Sequence, residues 1–426
     1  MKVGEIGYNI NLAGSARERR ALARIDNRVH GFAVSARQTH FELFASTAPG
    51  LEPICASELQ ALGIAAECVV GGVGWRGDLR TLYRANLELR TASRVLVRLG
   101  SFRARSFHEL ERRLARLPWS RHMRPDAAVG LRVTARKSKL YHEGAVAERI
   151  GRLLEAHYAA RVAAARGDED DDVAGLQLFV VRLMRDVCTI SADASGALLH
   201  QRGYRQALAK APLRETIAAA LLFVSGWRPG ALLVDPLCGS GTIVIEAALR
   251  ARRIAPGLAS PSLAPRPFAF ERWPDFDPDL WDDVVAGARA AVLPPTPRTA
   301  FGSDHNAGAI RAAAANAARA GVGEDVVFEV RPLSAFAPPT GTGAVVTNPP
   351  YGVRTGHRSS LDRLYAQLGK VLRERAAGWT LAVLSADPQL DEAAGIAFAE
   401  RIRTRNGGIP VRMLVAEIPS GPGTSC

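Results

Sequence analysis

The sequence has little that would staple, chelate or cross a membrane. Its five cysteines, at 55, 68, 188, 238 and 426, stand apart with no Cys-x-x-Cys pair. Neither a disulfide framework nor a structural metal cluster is expected, and the cytoplasm is the expected setting. No apolar run reaches the ~20 residues of a membrane span, and the amino terminus lacks an apolar core ahead of a small-residue cleavage site. Lysine is scarce at five residues, so nearly all the positive charge is arginine. No segment reads GxxxxGK[ST], which sets aside a triphosphate cradle.

What is present is ample core material. Apolar residues make up 47% of 426 residues, enough for two or three domains. The formal charge is +13, and it is uneven. Residues 1–210 hold 33 basic against 22 acidic side chains, whereas 211–426 hold 22 against 20. An Arg- and Ala-rich composition also fits codon bias in a GC-rich genome, but such bias acts on both halves alike. The basic first half therefore points to a polyanionic partner, most simply nucleic acid.

Residues 1–40 are polar, Arg-rich and weakly periodic, and are expected to form a flexible basic extension. Strand-like and helical stretches then mix irregularly. FELFAST and RVLVRLGSFRA read as strands, TLYRANLELRTAS and HELERRLARLPW as helices, and GDEDDD at 167–172 as an acidic loop tip. This mixture predicts small α+β modules. From about residue 212, short apolar runs alternate with amphipathic helices, as in ALLVD, TAFGSD, DVVFEV, GAVVTN and WTLAVLSA. That pattern predicts a parallel sheet covered on both faces.

Two motifs carry chemistry. DPLCGSGT, 235–242, follows an apolar strand and opens a helix. Gly239 and Gly241 permit a sharp turn and close approach of a ligand, and Asp235 ends the strand where open α/β sheets bind. The same residues could also form a tight turn without a ligand. The motif departs from G-x-G-x-x-G, which argues against a dinucleotide. Asp304, ending AFGSD, either meets a ribose diol or caps the helix that follows. It lies 69 residues after Asp235, and an insertion at 255–300 accounts for the excess over the usual ~20.

The second motif is Asn348-Pro349-Pro350-Tyr351 at the end of GAVVT. The prolines fix φ and remove backbone donors, leaving carbonyl acceptors. The Asn348 side-chain carbonyl beside that of Pro349 can accept both hydrogens of a planar amine. Such a grip localises a lone pair otherwise spread into an aromatic ring. Tyr351 offers a face for an extracted base. The alternative is a Pro-rich strand exit. Arg132, Arg136, Lys137 and Lys139, with Arg202 and Arg205 further on, are the candidates for nucleic-acid contact, against a solvated basic face.

DPLCGSGT, FGSD and TNPPYG in this order resemble class I S-adenosylmethionine-dependent methyltransferases that modify amines. FASTAPGLEPICASEL, GGVGWRGD, LHQRGYR and APLRETIAAA extend the resemblance to THUMP-domain RNA guanine-N2 methyltransferases, of the bacterial kind acting on large-subunit (23S) rRNA. It covers roughly residues 41–420. The resemblance implies an α/β fold: a Rossmann-like methyltransferase domain at 196–426 with a mostly parallel seven-stranded sheet, preceded by a ferredoxin-like region at 41–81 and a THUMP RNA-binding domain at 82–195. It implies S-adenosyl-L-methionine as cofactor, held by Asp235, Pro236, Cys238, Gly239, Ser240, Gly241, Thr242 and Asp304. Pro212, Arg214 and Glu215 match a helix closing over it. It implies Asn348, Pro349, Pro350 and Tyr351 around the target guanine, with rRNA or its precursor as partner.

Two departures accompany the resemblance. Pro332 stands where an Asp usually meets the adenine amine, and with the sequence ending at Cys426 the second methyltransferase domain that some members carry at the C-terminus is not expected. Three alternatives remain: a tRNA guanine-N2 enzyme, a DNA adenine-N6 enzyme, since NPPY serves either amine, and a non-catalytic RNA-binding assembly protein.

Overall fold

Two sheets carry the chain from Phe41 onward. The computed structural model describes residues 40–164, 175–205, 213–295, 298–351 and 358–419. The expected extension up to residue 39, the acidic tip at 167–172, Pro212 and Gly352 lie outside these residues.

The first sheet has eight strands: β1 (Phe41–Thr47), β2 (Glu67–Val69), β3 (Gly72–Gly77), β4 (Ala92–Arg103), β5 (Ala128–Arg136), β6 (Arg161–Ala164), β7 (Gln177–Met184) and β8 (Val187–Asp193). Their order is β2-β3-β1-β4-β8-β7-β5-β6. Helices α1 (Glu52–Ala61), α2 (Leu79–Glu88), α3 (Phe107–Leu114) and α4 (Glu143–Tyr158) connect them. Local chemistry sets the boundaries. Asp78 caps α2 by accepting from the Thr81 amide at 2.9 Å, and Ser106 caps α3 while Glu109 reaches back to the Arg105 amide at 2.8 Å.

Strand β4 is twelve residues long, about twice the usual length. Its first half pairs antiparallel with β1 and its second half with β8. The boundary expected between residues 81 and 82 falls inside α2, and β4 belongs to both modules. They form one continuous sheet because a single long strand has both edges occupied.

The second sheet contains β9 (Leu232–Asp235), β10 (Ala300–Asp304), β11 (Val326–Val330), β12 (Gly343–Thr347), β13 (Thr380–Ser385), β14 (Ala399–Asn406) and β15 (Ile409–Glu417). The order is β11-β10-β9-β12-β13-β15-β14. Only β15 runs against its neighbours. This is the mostly parallel seven-stranded sheet that the resemblance implies. Helices α5 (Glu215–Val224), α6 (Thr242–Ala251), α7 (Pro278–Ala290), α8 (Ala307–Arg319), α9 (Arg358–Arg375) and α10 (Pro388–Ala393) accompany it. The near-continuous apolar strands follow from burial on both faces: Val345, Val346, Leu381 and Ala382 are all inaccessible.

The Pro-rich, aromatic insertion after α6 joins the two sheets. Phe270 stacks on Tyr83 of α2 with ring centroids 4.6 Å apart, and Trp281 meets both rings edge-on. The Tyr83 hydroxyl accepts from the Asp277 amide at 3.0 Å. Trp273 donates to Gln177 of β7 at 2.6 Å, and the Phe270 amide donates to the Ala194 carbonyl at 3.1 Å. One apolar core therefore runs from the first sheet into the second. Phe270→Ala should destabilise the protein by about 3–5 kcal/mol, read as a lower denaturation midpoint with a single transition retained.

Candidate active site

The chain leaves β9 toward β10 on one side and later returns to β12 on the other. Open α/β sheets bind ligands in the crevice at such a reversal, outside the carboxyl ends of the strands. Here that crevice lies between the turn after β9 and the turn after β12, so the fold brings the two sequence motifs together. A direct bond fixes them. The Thr347 hydroxyl, the last residue of β12, donates to Asp235 Oδ1 at 2.7 Å, and the Leu237 amide donates to the same oxygen at 3.1 Å. Asp235 is buried, and burial pushes its carboxyl up to about 7, with the Asp304 charge adding to the shift.

The Gly-rich turn is held along its length. The Cys238 amide donates to the Ser303 carbonyl at 3.0 Å, and the Gly239 amide to Asp304 Oδ2 at 3.1 Å. Asn316 of α8 donates to the Ser240 carbonyl at 3.0 Å. Gly239 has φ +52° and open space on its Cβ side, whereas a Cβ on Gly241, at φ +84°, would lie 2.8 Å from Phe328. The first glycine thus leaves room for a ligand, and the second lets α6 pack against its neighbours. Pro236, Cys238 and Thr242 are buried. Burial drives the Cys238 thiol far above its usual range, so it serves as a small apolar wall and not as a thiolate. Helix α6 has no side-chain cap, and its uncapped first turn favours a negative group.

Asp304 does not cap α8. Asn306 does, accepting from the Gly308 amide at 2.8 Å, while Asp304 Oδ1 accepts from the Asn306 amide at 2.9 Å. With its other oxygen on Gly239, Asp304 braces the turn at the edge of the crevice. Pro332 is exposed and opens a short 3-10 turn, Leu333–Ala335, and beside it Val330 is 56% exposed.

Across from the Gly-rich turn, Asn348 is half-buried and its Oδ1 is fully buried with no hydrogen-bond partner among the described residues. An orphaned buried acceptor is costly, and it is the group that the amine-gripping reading needs. Pro349 is buried, and Pro350 and Tyr351 are half-buried. The Tyr351 hydroxyl accepts from Asn406 Nδ2 at 3.3 Å, and Asn406 Oδ1 accepts from the Arg214 amide at 3.1 Å. Asn406 ends β14 and so ties the tyrosine to the start of α5. The sequence reading passed over Asn406 and Asn316, because nothing local marks a polar residue whose partners lie 55 to 192 positions away.

Arg202 and Arg205 do not face RNA, which corrects the expectation for both. Arg202 is buried, donates to the Arg90 carbonyl at 2.6 Å and pairs with buried Glu246 at 3.6 Å. Arg205 bonds Thr242 Oγ1 at 3.0 Å, the Leu213 carbonyl at 2.6 Å and Glu215 at 3.1 Å. It joins the first turns of α5 and α6. Both cations are spent inside the molecule, Arg202 on an acid distant in sequence and Arg205 on one at the start of the next helix. Glu215 is itself buried, and burial raises its carboxyl to about 7 against the opposing pull of Arg205. Arg136, Lys137 and Lys139 are exposed and Arg132 is half-buried.

Well below pH ~4 both Asp235 and Glu215 are protonated in the folded and the unfolded chain. As pH rises toward 7 the unfolded chain releases protons that the folded chain keeps, so stability falls, and the full cost is present above about 7. Asp235→Asn, which keeps the acceptor for Thr347, should therefore gain stability relative to the unsubstituted protein as pH rises from about 5 to about 8. Urea denaturation without cofactor measures this.

Residues 202–414 match the family described as RMKL-like, methyltransferase domain, and residues 42–96 match the RlmL ferredoxin-like domain. The protein slr0064 of Synechocystis sp., an RNA methyltransferase by name, is 35% identical over 88% of this chain and 96% of its own. The ribosomal RNA large subunit methyltransferase K/L of Syntrophotalea carbinolica is 36% identical over 88% of this chain, which spans about half (53%) of that relative's length. Among solved structures, SMU.472, a methyltransferase by name, was determined with SAH bound; it aligns with TM-score 0.77 at 28% identity over 91% of this chain and all of its own. A Listeria monocytogenes protein named as an N6-adenine-specific DNA methylase aligns with TM-score 0.77 at 33% identity, covering 89% and 97% of the two chains. The chain belongs to the RMKL-like methyltransferase family.

Proposed function

We propose that the protein transfers a methyl group from S-adenosyl-L-methionine to the exocyclic N2 amine of a guanine in 23S rRNA, in the cytoplasm. The observation that carries this reading is the buried, unpartnered Asn348 Oδ1 at the crevice. S-adenosyl-L-methionine is the cofactor, and it supplies a methyl carbon activated by its cationic sulfur. The residues present fit it. Gly239 leaves open space beside the turn, the uncapped first turn of α6 suits its carboxylate, and Asp304 stands at the crevice edge as an acceptor for a ribose.

The chain's own work is alignment and lone-pair control. Asn348 Oδ1 and the Pro349 carbonyl accept the two amine hydrogens, which draws the nitrogen lone pair out of the ring. Tyr351, held by Asn406, supports the flat face of the base. No strong general base is needed, because the amine becomes acidic once it is alkylated and its surplus proton can pass to solvent. The choice of rRNA rests on the named activity of the Syntrophotalea relative and on exposed Arg136, Lys137 and Lys139 in the first sheet, whose region 82–195 we read as a THUMP RNA-binding domain.

A second reading is favoured by the name of the Listeria protein: an adenine amine in DNA would suit the same acceptor pair. Assaying purified 23S rRNA, tRNA and duplex DNA with labelled cofactor separates the readings, and methylation of DNA alone would overturn the proposal. Absence of cofactor binding by calorimetry would leave only the assembly role. Asn348→Ala should keep cofactor binding and lower turnover by about a hundred-fold or more. Asn406→Ala should lower turnover by about ten-fold, since it releases the ring without removing it. Single-turnover methylation of rRNA reads both.

A further inference from the structure

One end of the first sheet gathers charge around a solitary aromatic ring. Strands β4, β5 and β7 finish there and β8 begins there. Arg103, Arg105, Arg136, Lys137, Lys139 and Arg185 are all exposed at this end. Among the described residues only Arg105 of these six makes an ion pair, with Asp186 at 2.9 Å. Beside them Tyr141 is 76% exposed. A large aromatic side chain so open to water, close in sequence to a cluster of cations, offers a free face on which a base can stack.

The loop that presents Tyr141 is built. Asp186, in the tight β7–β8 turn, accepts from the Lys139 amide at 2.8 Å and from the Arg105 side chain at 2.9 Å. Its own amide donates to Ser138 Oγ at 3.0 Å, and Ser138 donates to the Arg136 carbonyl at 3.1 Å. The Arg185 amide also reaches the Arg136 carbonyl, at 3.2 Å. These bonds hold Lys137 in the left-handed region at φ 51°, a conformation that costs energy for a residue with a side chain. On either side of Tyr141, Leu140 is buried and His142 caps α4 by accepting from the Ala145 amide at 3.1 Å. The ring is thus anchored by both neighbours while standing in solvent.

We infer that this end of the sheet is a docking site for an unpaired nucleotide of the RNA, with a base stacked on Tyr141 and the flanking phosphates held by Lys137, Lys139, Arg136 and Arg105. The inference rests on the reading of the protein as an RNA methyltransferase and adds where and how the substrate is held away from the crevice. The cations call for phosphates. The ring calls for a base with a free face, which a continuous duplex does not offer but a loop, bulge or single strand does.

The test uses the whole chain with a short fluorescein-labelled single-stranded RNA, the same sequence as a duplex, and a single strand carrying a fluorescent adenine analogue. The unsubstituted protein should prefer the single strand and quench the analogue. Tyr141→Ala should weaken single-strand binding about ten-fold and abolish quenching while leaving duplex binding unchanged. Tyr141→Phe should retain both. Lys137→Ala with Lys139→Ala should weaken both RNAs and lower the salt dependence. The ring is exposed, so thermal unfolding should be the same in every variant. Salt-dependent RNA binding that Tyr141→Ala leaves intact would overturn the stacking site while the RNA reading stands. No RNA binding by the unsubstituted protein would overturn both, and equal binding of the two RNAs would overturn the inference.

Discussion

The hydrogen bond from Thr347 to Asp235 is the constraint on which the site depends. It spans the point where the chain reverses its direction of travel across the sheet, and it joins the last residues of two neighbouring parallel strands. Parallel pairing fixes strand separation and register, but the turns beyond the strand ends are free to diverge. By tying the start of the Gly-rich turn to the residue before Asn348, this one bond makes two motifs 112 positions apart behave as one site. The carboxylate that accepts it is buried at a cost, visible in its raised affinity for a proton.

Around that bond the protein places polar groups in two opposite ways. Several brace loops. Asn316 holds the Gly-rich turn, Asn406 joins Tyr351 to α5, and Arg205 joins the first turns of α5 and α6. Each bond removes freedom from a loop that must keep its shape when empty. Asn348 Oδ1 is buried with no hydrogen-bond partner among the described residues.

The same contrast governs the arginines. Those in the linker before α5 are drawn inward by Glu246 and Glu215, and they stabilise the join between the sheets. Those at the end of the first sheet have few acids to meet and stay at the surface. Charge of one sign is therefore placed in two different ways in one chain, inside as structural cement and outside in contact with solvent, and the position of the acids decides which applies. The aromatic insertion follows the same logic: Phe270, Trp273 and Trp281 fill the space between the sheets.

The sequence by itself determined the second sheet and both motifs of the crevice. Apolar four- to six-residue runs alternating with amphipathic helices admit few other folds, and paired glycines or paired prolines at a strand end restrict the backbone whatever surrounds them. Tertiary structure alone decided that β4 fuses two modules into one sheet, that Asn306 and not Asp304 caps α8, that Arg202 and Arg205 are interior, and that Asn406 supports Tyr351. Most of these turn on a partner far away in the chain, although the bonds of the Asn306 cap and the Arg205–Glu215 pair are local, and a burial or a hydrogen bond between distant residues leaves no periodicity or local preference to read.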